Sequence, residues 1–121
     1  MKDKVFLADL VHTGKGLSDF HYFPLGIGFI ASYAQKAVPH ELDIELFKFP
    51  ELMAKQIVEN PPRVIALTNY CWNFELSYKL SAWAKRLNPD LVVVFGGPNF
   101  PVIRDEKQAF LKACPAIDFY I

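Results

Sequence analysis

Hydrophobic residues fall along this chain in two alternating rhythms. Short apolar or alternating runs of strand length are separated by stretches in which apolar residues recur at helical spacing. The runs are Val5–Leu10 (VFLADL), Leu42–Phe47 (LDIELF), Arg63–Thr68 (RVIALT), Leu91–Phe95 (LVVVF) and Ala116–Ile121 (AIDFYI). The first, third and fourth read as strands buried on both faces, whereas Leu42–Phe47 alternates as a strand nearer an edge does. Between them the spacing predicts a helix over Leu25–Ala37, with Leu25, Phe29, Ile30, Ala34 and Ala37 towards the sheet. A short helix follows over Pro50–Val58, with Leu52, Met53 and Ile57 inward. The clearest helix is Phe74–Leu87, striped by Leu76, Leu80, Trp83, Ala84 and Leu87, and a weaker one covers Asp105–Lys112. Pro24 suits a helix start because its missing N–H would be unpaired there anyway. Pro39 stops that helix, and Asn73 is placed to cap the third one.

Strands alternating with helices imply a parallel sheet covered on both faces, with right-handed crossovers. The expected fold is α/β, a flavodoxin-like (Rossmann-like) three-layer sandwich with a five-stranded parallel sheet in the order 2-1-3-4-5. No helical pattern follows the fifth run, so the last helix is missing from one sheet face. Residues 1–121 are therefore expected to be one domain, read either as an amino-terminal fragment or as a chain that buries its bare face in a homodimer.

Charge narrows the partners. Basic and acidic residues balance at 13 each, so nothing steers the chain to nucleic acid or an anionic membrane surface. No apolar run approaches the ~18 residues of a membrane span, and no secretory leader is evident. Two cysteines make neither a disulfide framework nor a metal cluster, which points to a cytoplasmic setting.

In an open parallel sheet, ligands sit at the carboxyl ends of the strands. Three such tips converge in this topology: Asp9–Ser18, Thr68–Asn73 and Gly96–Phe100. They offer amide and hydroxyl groups, two glycines and apolar walls, as in a site for a large and mostly neutral cofactor. Hydrolytic machinery is not in evidence: there is no G-x-S-x-G elbow and no paired carboxylate at helical spacing. Gly26-Ile-Gly28-Phe-Ile-Ala31 matches a dinucleotide pattern, but it lies inside a helix rather than in the strand-to-helix turn that the pattern needs. His12-Thr-Gly-Lys-Gly lacks the full phosphate loop, although a flavin or phosphate site on Thr13–Ser18 remains a reading to test. Gly26 and Gly28 each cost the first helix about 1 kcal/mol relative to alanine. Close approach of the first turn to backbone or ligand would account for them. Cys71, near the tips, reads as a packed thiol with no base beside it; Cys114 reads as packed, and His21 and His40 as surface.

The ordered set Pro24-Leu-Gly-Ile-Gly-Phe-Ile-Ala-Ser-Tyr33, Val64–Tyr70, Leu80–Pro89 and Val94-Phe-Gly-Gly-Pro-Asn-Phe-Pro101 resembles the amino-terminal cobalamin-binding domain of B12-dependent radical S-adenosylmethionine enzymes. The resemblance implies a domain that holds cobalamin at the strand tips, its dimethylbenzimidazole tail threaded beside the sheet. Carried over by position, Thr68, Asn69, Gly96, Gly97, Pro98 and Asn99 would line the tail. The Tyr70–Trp72 loop and the loop before Pro24 would lie against or near the corrin, and Leu25 is also expected among the cofactor contacts. In the methyltransferase and mutase pattern D-x-H-x-x-G the histidine binds cobalt. Here the string is Asp9-Leu-Val-His12-Thr-Gly14, with the histidine one place late, so His12 is expected to touch the cofactor rather than to ligate it. C-x-x-x-C-x-x-C is absent. The 4Fe–4S cluster, S-adenosylmethionine and any methyl transfer would therefore belong to a downstream barrel in a parent protein. The alternative is a scaffold domain whose groove is filled by Tyr70, Trp72 or Phe100.

Overall fold

A computed structural model describes residues 1–13 and 22–121. Its strands are β1 (Asp3–Ala8), β2 (Leu42–Phe47), β3 (Val64–Thr68), β4 (Val92–Gly96) and β5 (Phe119–Tyr120). The helices between them are α1 (Leu25–Ala37), α2 (Pro50–Glu59), α3 (Phe74–Leu87) and α4 (Arg104–Ala113). All neighbouring strands pair in parallel, in the order β2-β1-β3-β4-β5. The flavodoxin-like three-layer architecture read from the sequence is the one observed.

The two sheet faces are unequally covered. Phe6, Ala8, Ile65, Leu67, Val93 and Phe95 point to one face, where Met53 and Ile57 of α2 and Ala84 of α3 close over them. Phe110 and Leu111 of α4 pack against the same cluster. Among the described residues only α1 lies on the other face, where Ile27 and Ala31 pack on Leu7 with Val5, Ile44 and Ala66 around them. Burial of these apolar side chains, at about 25 cal/mol per Å², is the main source of stability.

Three stripes differ from the sequence reading. α1 turns Ile27 and Ala31 inward, not Leu25, Phe29 and Ile30, which are all exposed (Phe29 at 71%). The helix is apolar almost all round, so periodicity could not select the buried arc, and the sheet took the smaller residues. On α3 the fully buried residues are Ser77, Ser81 and Ala84, while Leu76, Leu80 and Trp83 flank them part-buried and Leu87 is exposed. Small side chains let the helix approach the sheet closely. On α2, Leu52 is exposed. β5 is also shorter than the apolar run, because the Asp118 carboxylate, rather than another rung of ladder, takes the Val93 N–H at 2.7 Å. Lys85 holds that carboxylate from the other side at 2.7 Å.

Candidate functional site

The carboxyl ends of β1, β3 and β4 lie side by side, and two cavities open there. The outer one, about 720 Å³, lies between Asp9–His12, the approach to α1 from Tyr22, and the rings of Tyr70 and Trp72. The inner one, about 300 Å³, runs along the open sheet face between α1 (Gly26, Ile27, Ile30) and the strands (Ala66, Thr68, Val94, Gly96), with Ile121 on its far side. Gly26 and Tyr70 line both, so the two cavities meet at these residues. Another apolar hollow, about 360 Å³ between α2 and α3, is at the opposite ends of the strands, near Leu87 and Leu91.

A buried polar frame sets the shape of the outer cavity. Asn73 is fully buried; its Oδ1 accepts the Tyr70 N–H at 2.9 Å. Its Nδ2 donates to the Leu10 carbonyl at 3.3 Å and to Thr68 Oγ1 at 3.1 Å, with a longer 3.4 Å contact to Asp9 Oδ1. Thr68 in turn donates to Asp9 Oδ1 at 2.7 Å. One side chain thus ties the first tip to the third strand. Asn73 occupies the capping position of α3 but makes no side-chain cap bond, because its amide is spent on these partners. His12 bridges the same two tips: its Nε2 lies 2.8 Å from the Trp72 carbonyl, so this nitrogen carries the proton that is donated. Tyr70 and Trp72 stack face to face, ring centres 4.5 Å apart and 4° from parallel.

The tip after β4 is locked from below. Asn69 has no exposed surface. Its Nδ2 donates to the Asn99 carbonyl and to Tyr120 Oη, at 2.8 and 3.1 Å, while its Oδ1 accepts from Asn99 Nδ2 at 3.1 Å. Tyr120 Oη donates to the Gly97 carbonyl at 2.7 Å. Burial pushes the Tyr120 phenol upward, an effect opposed by its bond from Asn69. Gly97 has φ +131, a region essentially confined to glycine, and a Cβ there would stand 2.7 Å from the Asn69 carbonyl oxygen. A Cβ on Gly96 would meet the Ile121 carbonyl at 3.3 Å. Gly97 therefore lets the ends of β3 and β4 meet, and Gly96 lets Ile121, after β5, approach the same tip.

No protein-family model matches the chain. It is 32% identical over 122 residues to the cobalamin-dependent radical SAM methyltransferase TokK of Streptomyces tokunonensis, across 92% of this chain and 17% of that enzyme. It is 27% identical over 110 residues to the 2-(S-pantetheinyl)-carbapenam-3-carboxylate methyltransferase of Streptantibioticus cattleyicolor, across 88% of this chain and 16% of the enzyme. The chain is thus homologous to a segment of each of these two methyltransferases. It spans about a sixth of the length of these curated relatives. The crystal structure of a cobalamin-binding protein from Desulfitobacterium hafniense has the same fold, with a TM-score of 0.67 at 14% identity over 98% of this chain and 52% of that one.

Thr68, Tyr70, Gly96 and Gly97 line the inner cavity; His12, Leu25 and Tyr70 line the outer one. Asn69 and Asn99 do not face either cavity as free donors, since they bond each other beneath the tip. Pro98 is exposed at that tip. Phe100 turns away from the groove and stacks on Tyr120, ring centres 3.7 Å apart, with Phe110 edge-on. Tyr70 and Trp72 pack on each other, so the groove is open rather than filled. The flavin or phosphate reading rests on Thr13–Ser18, of which residues 14–18 are outside the described residues, as is His21. Thr13 itself donates to the Glu51 carboxylate, a poor neighbour for an anion.

Sequence reasoning read Asn73 as a helix cap and missed it as the hub of the frame, whereas Gly26, expected against backbone or ligand, is the wall the two cavities share. The Cβ of an alanine at Gly26 would meet nothing within 4 Å, so close backbone approach does not account for that glycine. Cys71 is exposed rather than packed. Cys114 is buried, and burial pushes its thiol up. Among the described residues no group of three or more His, Cys, Asp or Glu side chains could hold a metal ion, and no helix is long and apolar enough to cross a membrane.

Proposed function

We propose that this chain is a cobalamin-binding module. The observation that carries the reading is the pair of adjoining cavities at the strand tips, a wide outer one and a narrow apolar inner one that meet at Gly26 and Tyr70. A corrin ring with a nucleotide-like tail has the same division into a broad body and a thin extension. The residues present fit the group: the outer walls supply Leu25, Tyr70 and Trp72 as apolar and aromatic surface, and Gly96–Gly97 leave the inner cavity free of side chains at its end. Thr68, Asn69 and Asn99 support the tail's wall, Asn69 and Asn99 by holding the tip in shape. His12 contacts the cofactor's side of the outer cavity while its Nε2 is engaged by the Trp72 carbonyl. When bound, the cofactor supplies a cobalt centre able to carry a methyl group.

Beyond binding, this proposal has the module work in the cytoplasm, within a longer B12-dependent radical SAM protein of the methyltransferase kind. The 4Fe–4S cluster and S-adenosylmethionine would sit in a downstream barrel. The relatives' much greater length supports this arrangement. The open sheet face, with Ile30, Phe119 and Ile121 exposed, would be covered either by following residues of the parent protein or by a second copy.

The test is to incubate the protein with hydroxocobalamin, desalt it, and record the visible spectrum. Retained corrin absorbance in the form with the benzimidazole detached from cobalt is the expected result. A corrin-free protein peak would overturn the reading.

A further inference from the structure

Corrinoids differ in the base that ends their nucleotide tail: some carry a benzimidazole, others a purine such as adenine. We propose that the inner cavity selects between them, admitting an apolar benzimidazole and disfavouring a purine. This rests on the cobalamin reading above and deepens it.

The inner cavity has few hydrogen-bonding groups left to offer. Its walls are Leu7, Ile27 and Ile30 on one side, Ala66 and Val94 on the floor, and Ile121 opposite. No charged side chain lines it. Two lining side chains are polar. The Thr68 hydroxyl donates to Asp9 and accepts from Asn73, so its one proton is already placed. Tyr70 stands where the inner and outer cavities join, the part of the path that a ribose-phosphate linker would occupy rather than the base. At the glycine end, two backbone acceptors are also engaged: the Gly96 carbonyl by the Asn69 N–H at 2.7 Å and the Gly97 carbonyl by the Tyr120 hydroxyl at 2.7 Å. Asn69 and Asn99, the amides that could have read a purine edge, bond each other beneath the tip.

An adenine seated there would bury an amino group and ring nitrogens that are bonded to water in the free corrinoid. Leaving such a group unpaired is more costly than leaving an apolar edge against aliphatic walls. A dimethylbenzimidazole shares adenine's free imidazole nitrogen, which therefore does not discriminate, but carries a benzene ring with two methyl groups where adenine has two further ring nitrogens and the amino group, so less polar surface is left unpaired when it is buried. The same asymmetry underlies discrimination by built pockets generally, in which unpaired polar groups penalise the wrong ligand more than a missing methylene does. The predicted preference is about tenfold or more for the benzimidazole form.

The experiment measures dissociation constants for three corrinoids on the unmodified protein: hydroxocobalamin, its adenine-tailed counterpart, and cobinamide, which lacks the base. Tightest binding by hydroxocobalamin, with the adenine form at least tenfold weaker, supports the proposal. Equal affinity for the two bases overturns it while leaving the cobalamin reading intact, as does cobinamide binding as tightly as hydroxocobalamin. Retention of none of the three overturns the cobalamin reading and this inference with it. Val94→Thr, nearly isosteric, adds a hydroxyl to the cavity floor and is expected to shrink the preference several-fold by favouring the adenine form. An unchanged ratio in that variant, with an unchanged melting temperature, counts against the assignment of the floor.

Discussion

Gly97→Ala offers the sharpest test of how the strand tips are held. The backbone there has φ +131, and an alanine in that region carries about 1–3 kcal/mol of strain. Its Cβ would also meet the Asn69 carbonyl oxygen at 2.7 Å, the Asn69 nitrogen at 3.1 Å and the Asn69 carbonyl carbon at 3.3 Å. Backbone cannot swing aside as a flexible side chain can. Asn69 is fixed from several directions: its N–H donates to Gly96, its carbonyl accepts the Asn99 N–H, and its amide bonds Asn99 and Tyr120. Relieving the clash means losing one or two of those bonds, at about 1 kcal/mol each. Alanine returns about 0.4–1 kcal/mol by restricting the unfolded chain. The net expectation is a loss of about 2–4 kcal/mol, which in a domain of this size lowers Tm by roughly 10 °C. Thermal unfolding followed by circular dichroism reads this directly. Gly28→Ala is the matched control: it lies in α1 with nothing within 4 Å of the new Cβ, so it should raise stability by about 1 kcal/mol. A Gly97→Ala protein that melts within two or so degrees of its parent would refute the account of the tip.

Other substitutions probe separate features. Gly26→Ala should stabilise the domain by about 0.5–1 kcal/mol, since space around it is open. The same methyl group intrudes where the two cavities meet, so corrinoid retention should fall; a variant both more stable and tighter-binding would contradict the proposed path of the tail. His40 has φ 72 after Pro39 in the turn closed by Glu41 N–H to the Val38 carbonyl at 3.3 Å, a geometry that favours glycine. His40→Gly should therefore raise the midpoint of denaturant unfolding by the equivalent of about 0.5–1 kcal/mol, and a lowered midpoint would refute the strain. Tyr120 has a folded-state value raised above its ordinary 10.0, so its contribution is complete below that pH and is lost as the pH climbs through the raised value. Stability should fall more steeply above pH 10 in the parent than in Tyr120→Phe; identical slopes would show that the phenol is not the group involved.

Element boundaries were legible because proline and glycine punctuate them: α1 is delimited by Pro24 and Pro39, and α3 follows directly on Asn73. Which arc of α1 faces the sheet was not legible. Leu25, Phe29, Ile30 and Tyr33 outnumber Ile27 and Ala31 by size, and only the space above β1 and β2 decides between them. At the site, convergence of the three tips followed from topology alone. The bonds that shape them did not, because Asp9, Thr68 and Asn73 meet across 59 and 64 residues of chain. The same holds for Asn69, read as a cofactor contact from its place at the end of β3. Its neighbours in space, Asn99 and Tyr120, are 30 and 51 residues away.

The bond from Tyr120 to Gly97 has a kinetic consequence. β5 is two residues long, and besides its rungs on β4 it is held by that hydroxyl, by stacking on Phe100, and by the Asp118 carboxylate on Val93. So short a strand should open locally far more often than the whole domain unfolds. Because its anchor is the glycine tip, a molecule seated against Gly96 and Gly97 must also slow the exchange of the Ile121 amide, which donates to Phe95 at 2.9 Å, with solvent deuterium. The outermost strand becomes a reporter of what the centre of the sheet is holding.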